Sequence, residues 1–199
     1  MSKNLLLIFT RNPELGKVKT RLAKSIGNKN ALDIYNLLLN KTKQITQNTT
    51  CDKAVYYSTK VRENDVWEAS IYQKHQQEGK DLGVRMQNAF KKSFTTGYQK
   101  VIIIGSDLFD LTENHIHDAF EKLETNDVVI GPAEDGGYYL LGMKKLEPHI
   151  FENKDWGTSS VREETLKDLQ KVNVHLLEEL NDIDVIEDIE NHTAFENFL

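Results

Sequence analysis

Cysteine is almost absent. The 199-residue chain has one, Cys51, so no disulfide closes within it and no cysteine metal cluster can form; a reducing, cytoplasmic setting suits that usage. Long hydrophobic runs are missing as well. The N-terminal run Leu5-Leu6-Leu7-Ile8-Phe9 is shorter than the apolar region of a signal peptide and far shorter than the roughly 20 residues of a membrane span. It reads as a buried strand, and no membrane span is expected. Positive charge is in deficit, with a net charge of -6, which argues against a nucleic-acid partner. Internal repeats, low-complexity stretches and linkers are also lacking, so residues 1–199 are expected to form a single domain.

What is present suffices for a core: 39% of residues are hydrophobic against 28% charged, which excludes a disordered or fibrous chain. Residues 5–9, 54–57, 101–104 and 128–130 are short, apolar and rich in β-branched or aromatic side chains, the pattern of buried parallel strands. Between them, Leu32, Tyr35 and Leu39, then Leu82, Met86 and Phe90, then Ile116, Ala119, Phe120 and Leu123 recur at helical spacing. Thr112 or Asp110 is placed to cap the last of these helices. Residues 138–143 and 172–176 read as further strands. Ser160-Val161-Arg162-Glu163 has the form of a capping box, opening a helix expected to run to about Lys171. Strands alternating with helices predict an α/β fold with a mainly parallel sheet, whose ligands lie beyond the carboxyl ends of the strands.

The loops at those ends hold the residues of interest. After the first strand comes Arg11-Asn12-Pro13-Glu14-Leu15-Gly16-Lys17-Val18-Lys19-Thr20-Arg21-Leu22. Arg11, Lys17, Lys19, Arg21 and Lys24 face Glu14 alone, so an acidic protein concentrates cations in one loop. Gly16 permits close backbone approach, and Lys19, Thr20 and Arg21 supply donors; together they suit a diphosphate. The segment is not a Walker loop, because Val18 rather than glycine precedes Lys19-Thr20. Gly105-Ser106-Asp107 ends the third strand, where a carboxylate can hold a metal that bridges phosphates. Gly131-Pro132-Ala133-Glu134-Asp135-Gly136-Gly137-Tyr138 offers Asp135 as a base or an orienting group for an acceptor hydroxyl, although Asp-Gly is also an ordinary hairpin turn. In Asp182-Ile183-Asp184 both acids fall on one side of an extended segment; Asp184 reads as a second metal carboxylate or, more simply, as a helix cap. Arg85 could reach a phosphate from its helix or lie on the surface, and the Trp156 loop could shape an acceptor pocket or be only a connection.

Taken in order, Lys19-Thr20-Arg21-Leu22, Asp81-Leu82-Gly83-Val84-Arg85-Met86, Gly105-Ser106-Asp107, the Gly131–Tyr138 stretch and Asp182-Ile183-Asp184 resemble a GT-A-like group of glycosyltransferases. This is the radical-SAM/selenodomain-associated transferase type linked to arsenosugar biosynthesis. The first motif is also similar, more distantly, to the basic motif of phospholactate guanylyltransferases. The resemblance implies a three-layer sandwich, the nucleotide-diphospho-sugar transferase fold. It implies Asp107 and Asp184 as ligands of Mg²⁺ or Mn²⁺. The chain departs from the family pattern at Leu108-Phe109, where a small residue or cysteine and then proline are usual.

The expected activity is transfer of a glycosyl group from a nucleotide sugar to a small acceptor. Arg11, Gly16, Lys19, Thr20, Arg21 and Arg85 would hold the phosphates, Asp135 would serve the acceptor, and Gly136, Gly137, Tyr138 and Trp156 would form its pocket. Nucleotidyl transfer from a nucleoside triphosphate to a sugar phosphate or phospho-acid is the alternative. A nucleotide-binding module without turnover is the third reading, since fold alone does not choose a chemistry.

Overall fold

The computed structural model describes residues 3–199. Seven strands form one sheet: β1 (Asn4–Thr10), β2 (Asp52–Tyr57), β3 (Tyr72–Gln76), β4 (Lys100–Gly105), β5 (Val128–Pro132), β6 (Tyr138–Met143) and β7 (Val174–Leu176). Their order is β3-β2-β1-β4-β6-β5-β7. β6 pairs antiparallel with both β4 and β5, and every other pairing is parallel. The sheet is therefore mixed and mainly parallel, as the strand-helix alternation predicts. β3, with the sequence Tyr-Gln-Lys-His-Gln, was not expected as a strand. It lies at an edge, where one polar face meets water, so it lacks the apolar signature of the central strands.

Alternation along the central strands sorts the core into two layers. Leu6 and Ile8 point to the face covered by α1 (Ala23–Thr46) and α3 (Glu113–Thr125), packing with Tyr35, Leu39, Ile116, Ala119 and Leu123. Leu5 and Leu7 point to the opposite face, against Met86, Ala89 and Phe90 of α2 (Leu82–Thr95) and the region of α4 (Val161–Asp168). Helices thus cover both faces of the sheet, giving a three-layer α/β sandwich. None of the helices among the described residues is long and apolar enough to cross a membrane.

Three local expectations are corrected. Thr112, not Asp110, caps α3, in a reciprocal arrangement with His115. Ser160 makes no capping bond; its backbone is already helical and its hydroxyl meets that of Thr158 at 3.0 Å. α4 ends at Asp168 rather than near Lys171. The acidic C-terminal segment forms 3-10 turns, at Ile186–Asp188 and Thr193–Phe198.

That segment is pinned down by a third apolar cluster, in which Leu22, Ile34 and Leu38 from the α1 region meet Ile183, Ile189 and Phe195. Phe109 joins it, its ring 5.0 Å from Phe195 and 4.7 Å from His192. The unusual Leu108-Phe109 pair therefore has two jobs: Leu108 is buried beside the cleft described below, and Phe109 anchors the C-terminus. Phe195 is fully buried. Phe195→Ala should lower the unfolding free energy by about 3–5 kcal/mol in chemical denaturation, the usual cost of emptying a phenylalanine site. Leu199→Ala, at an exposed position, should change it by less than about 0.5 kcal/mol.

Candidate functional site

The sheet reverses its winding between β1 and β4. β1-α1-β2 runs toward one edge and β4-α3-β5 toward the other, which opens a crevice at the carboxyl ends of β1 and β4. β7 runs parallel to β5, and residues 177–180 continue beside that strand through backbone bonds to Ile130 and Pro132. This brings Asp182 and Asp184 to the same rim. The N–H of Ile183 donates to the carbonyl of Asp107 at 3.4 Å, tying the C-terminal segment to the β4 loop.

Lys19 lies at the centre. Its side chain is 5% exposed, and its ammonium donates to Asp107 Oδ2 at 2.8 Å and lies 3.9 Å from Asp184 Oδ1. Arg21 Nη1 donates to Asp184 Oδ2 at 2.7 Å. Four residues predicted for two different tasks, phosphate and metal binding, thus converge on one spot. Lys19 adopts a left-handed backbone, φ 46°, an uncommon choice for a residue with a side chain. Burial opposes both charges of its ion pair with Asp107, but the mutual attraction and hydrogen bond outweigh it. They hold the Lys19 ammonium above its ordinary range and the Asp107 carboxyl below its own. Asp107 keeps a side chain 37% exposed toward the cleft, so one face of the carboxylate remains open to a ligand. Gly105 makes room for it: a Cβ there would stand 2.9 Å from Asp107 Oδ1.

Asp182 belongs to this cluster although the sequence reading favoured only Asp184. Burial pushes its carboxyl up to about 6, reinforced by the charges of Asp107, Asp135 and Asp184 against the opposing pull of Lys19. The signal was its position two residues before Asp184, on the same side of an extended segment. Asp184 is not a helix cap. Val185 holds that position, and Asp188 folds back to accept from the N–H groups of both Asp184 and Val185 at 2.7 Å. Asp188 thereby shapes the acidic loop. Asp107, Asp182 and Asp184 offer carboxylate oxygens, the donor type that a hard divalent cation such as Mg²⁺ or Mn²⁺ takes.

Behind the acids lies a buried hydroxyl network that sequence reading missed. Tyr35 OH meets Thr10 Oγ1 at 3.1 Å and Ser106 Oγ at 3.3 Å, and it accepts from the Arg11 N–H at 2.9 Å. Tyr35 counted only as one position in the apolar stripe of α1, where hydroxyl and ring are indistinguishable by periodicity. Asn12 fixes the other side of the basic loop, accepting from the Thr59 N–H and donating to the Lys60 carbonyl. Arg11, Gly16 and Thr20 are exposed around this framework, Gly16 with φ 74°. The Lys19 carbonyl accepts from the Ala23 N–H at 2.8 Å, so the basic motif leads into a short helical turn, which a kink at Gly27 (φ 83°) separates from the rest of α1. Arg85 does not enter the cleft. Its guanidinium holds the Gly79 carbonyl at 3.0 Å and Gln77 at 3.4 Å, which orders the loop before α2.

Beside the acids is a cleft of about 220 Å³ lined by Asp107, Asp135, Gly137, Tyr138, Trp156 and Asp182 together with apolar side chains. Asp135 accepts the Gly137 N–H at 2.8 Å through Oδ1, so the turn sets its orientation. Gly136, at φ 88°, lies where any Cβ would collide with the Ser159 backbone. Its carbonyl accepts from Arg162 N–H at 3.0 Å. The Asp135 turn and the Trp156 loop are therefore locked together, while Gly136 itself is buried behind the lining.

Residues 41–158 match the family model "Uncharacterized protein conserved in bacteria (DUF2064)". Among solved structures, a "putative nucleotide-diphospho-sugar transferase" from Desulfovibrio desulfuricans G20 is 31% identical. That match covers 98% of this chain and 90% of the other, with a TM-score of 0.88. 4-Diphosphocytidyl-2C-methyl-D-erythritol synthase from Anaerococcus prevotii DSM 20548 shares the fold at 10% identity, with 97% and 96% coverage and a TM-score of 0.60. So does CMP:2-keto-3-deoxy-manno-octonic acid synthetase complexed with CTP, at 9% identity, 97% and 98% coverage and a TM-score of 0.55. No curated protein matches the chain in sequence. The fold is that of nucleotide-diphospho-sugar transferases.

The acid cluster has a measurable cost. Because the folded Asp182 carboxyl titrates near 6 rather than at its usual 3.8, ionising it weakens the folded state. The penalty is absent below about pH 4, grows as pH rises to about 6, and is complete above that. Asp182→Asn should therefore stabilise the protein in chelator at pH 7–8, on the order of 1 kcal/mol once solvent screening of a part-exposed group is allowed for. The gain should vanish near pH 4. Thermal midpoints of both proteins across pH 4–8 check this; a constant difference at all pH values would contradict it.

Proposed function

The chain belongs to the DUF2064 family, and we propose that it is a metal-dependent transferase that moves the glycosyl group of a nucleotide-diphospho-sugar to a small acceptor. The observation that supports this best is the convergence of Lys19 and Arg21 with Asp107, Asp182 and Asp184 at the crevice between β1 and β4. A cluster of acids facing one ammonium and one guanidinium has negative charge left over, as the raised Asp182 carboxyl reflects. That surplus suits a divalent ion brought in with a diphosphate. The 31% identical relative described as a nucleotide-diphospho-sugar transferase supports the same reading.

In this account Lys19 and Arg21 bind phosphate oxygens, with Arg11 and Thr20 at the exposed edge of the loop and Gly16 allowing the backbone to approach. Asp107 and Asp184, with Asp182 beside them, would hold Mg²⁺ or Mn²⁺. When bound, that ion supplies neutralising charge to the leaving diphosphate. Asp135 stands across the cleft and receives the proton of the acceptor hydroxyl. The acceptor oxygen forms a bond to the anomeric carbon, and the bond from that carbon to the β-phosphate oxygen breaks. Its electron pair leaves with the nucleoside diphosphate.

Nucleotidyl transfer is the competing reaction on this fold and differs in its products. A nucleotide-sugar donor should yield nucleoside diphosphate, whereas a triphosphate donor would yield pyrophosphate. Binding to nucleotide without either product would indicate a sensing module. Titration of nucleotide in chelator and in millimolar Mg²⁺ tests the site itself. Metal should tighten nucleotide, nucleotide should tighten metal by the same factor, and Asp107→Asn should abolish this coupling in a folded protein. Equal nucleotide affinity with and without metal, together with turnover in chelator, would refute the proposal.

A further inference from the structure

The half of the cleft beyond the carboxylates has a chemistry that phosphate binding does not explain. Its walls are apolar and aromatic, with Phe9, Leu82, Met86, Leu108, Tyr138 and Trp156 prominent. Leu82, at the mouth, keeps 44% of its surface exposed, an apolar side chain held open with no protein cover. The walls are also prebuilt. The Trp156 indole rests against the bare backbone of α2 at Gly83, where a Cβ would stand 2.5 Å from it. The Gly136 turn locks the loop that presents the indole, as described above.

Charge along this lining has one sign. Asp107, Asp135 and Asp182 are its charged residues, and no Lys, Arg or His lines it among the described residues. The nearby cations lie outside the lining, on the side of the basic loop or behind the turn, and Arg11 acts on Asp107 from that exposed loop. Lys19 binds Asp107 and neighbours Asp184, and Arg162 pairs with Glu179 and the Ala133 carbonyl.

We propose that this half of the cleft is the acceptor subsite, and that the acceptor is an apolar or aromatic hydroxyl compound without negative charge, neutral or cationic. The inference rests on the transferase reading and narrows it. A phosphorylated or carboxylated acceptor would lose its hydration against these apolar walls and meet Asp135, with no Lys, Arg or His in the lining to pair with, while Lys19 and any ion held by Asp107 and Asp182 are taken up by the diphosphate. An aromatic or aliphatic body gains contact with Trp156, Leu82 and Met86, and its hydroxyl is the nucleophile that gives its proton to Asp135. A positive charge on the body would be favoured by the same acids and by the face of the indole.

The test uses the full chain and N-phenyl-1-naphthylamine, a neutral dye that fluoresces in apolar sites. Bound dye should be displaced by 2-phenylethanol and 2-phenylethylamine. Phenylacetate and phenyl phosphate, similar in bulk but anionic, should compete at least about tenfold more weakly. Trp156→Ala should weaken the dye by about tenfold, and Leu82→Ala, at an exposed position that leaves the fold intact, should weaken it by several-fold. Combining Asp135→Asn with Asp182→Asn should narrow the gap between phenylacetate and 2-phenylethanol. Saturating UDP, GDP, CDP or ADP with Mn²⁺ should leave the dye bound, as an acceptor subsite requires. No dye binding to the wild type, anions competing as well as the neutral compound, or displacement of the dye by nucleotide would each overturn the proposal. Calorimetry of the same diphosphates, without dye, separately tests the transferase reading: if none binds, that reading fails whatever the dye does.

Discussion

The ion pair between Lys19 and Asp107 joins the parts of the chain on which the site depends. Lys19 comes from the loop after β1 and Asp107 from the loop after β4, and Asp184, near the C-terminus, faces the same ammonium. A lysine whose side chain is 5% exposed keeps its charge only if carboxylates surround it. Its left-handed backbone persists only because the surroundings hold it there. Two supports lie beneath. The hydroxyls of Thr10, Tyr35 and Ser106 join the end of β1, the middle of α1 and the turn after β4. The apolar cluster of Leu22, Ile183 and Phe195 clamps the acidic segment to α1.

From that centre the cleft divides into two chemistries. One side gathers cations and carboxylates and suits a diphosphate with its counter-ion. The other is apolar, walled by Trp156 and Leu82, and bordered only by acids. A transfer reaction needs such a division, because the leaving group is highly charged while the acceptor need not be. On the proposed reading, groups reacting at the rim between the halves would stand against each other with little further motion. Gly83, Gly105 and Gly136 are points of close approach, where a Cβ would meet Trp156, Asp107 and the Ser159 backbone respectively. Each lets a functional side chain or its loop lie directly against backbone.

Much of the fold was legible because burial on both faces of a parallel sheet leaves short apolar runs that periodicity detects. Residues 101–104 and 128–130 are of this kind. β3 escaped because an edge strand has no such run, and the Ser160 capping box failed because its loop is fixed by Gly136 and Thr158 rather than by local preference. In the candidate site, the ordered motifs named Lys19, Arg21, Asp107, Asp135 and Asp184, and the structure brings these residues to one rim of the sheet. The rule that ligand loops gather at the carboxyl ends of the strands already put the basic and acidic motifs on one rim, but it could not show that Lys19 and Arg21 pair directly with Asp107 and Asp184. Arg85 follows its surface alternative: a helix position predicts a face, and the Gln77–Gly79 loop lies within its reach. The apolar half of the cleft was hidden because Leu82 and Met86 fit a core stripe as well as a pocket wall.

If Lys19 is the resident counter-ion of a divalent-cation site, its ammonium and the metal compete for the same carboxylates whenever no phosphate is present to draw the lysine away. Mn²⁺ binding, followed by electron paramagnetic resonance in the absence of nucleotide, measures that competition in the wild type and in Lys19→Met, which keeps the length of the buried stem. The account predicts that Lys19→Met binds Mn²⁺ about tenfold more tightly than the wild type, the scale of one removed neighbouring charge in a partly buried site. It also predicts that this variant loses affinity for nucleotide. Mn²⁺ affinity that is unchanged or weaker in the folded variant would contradict the account.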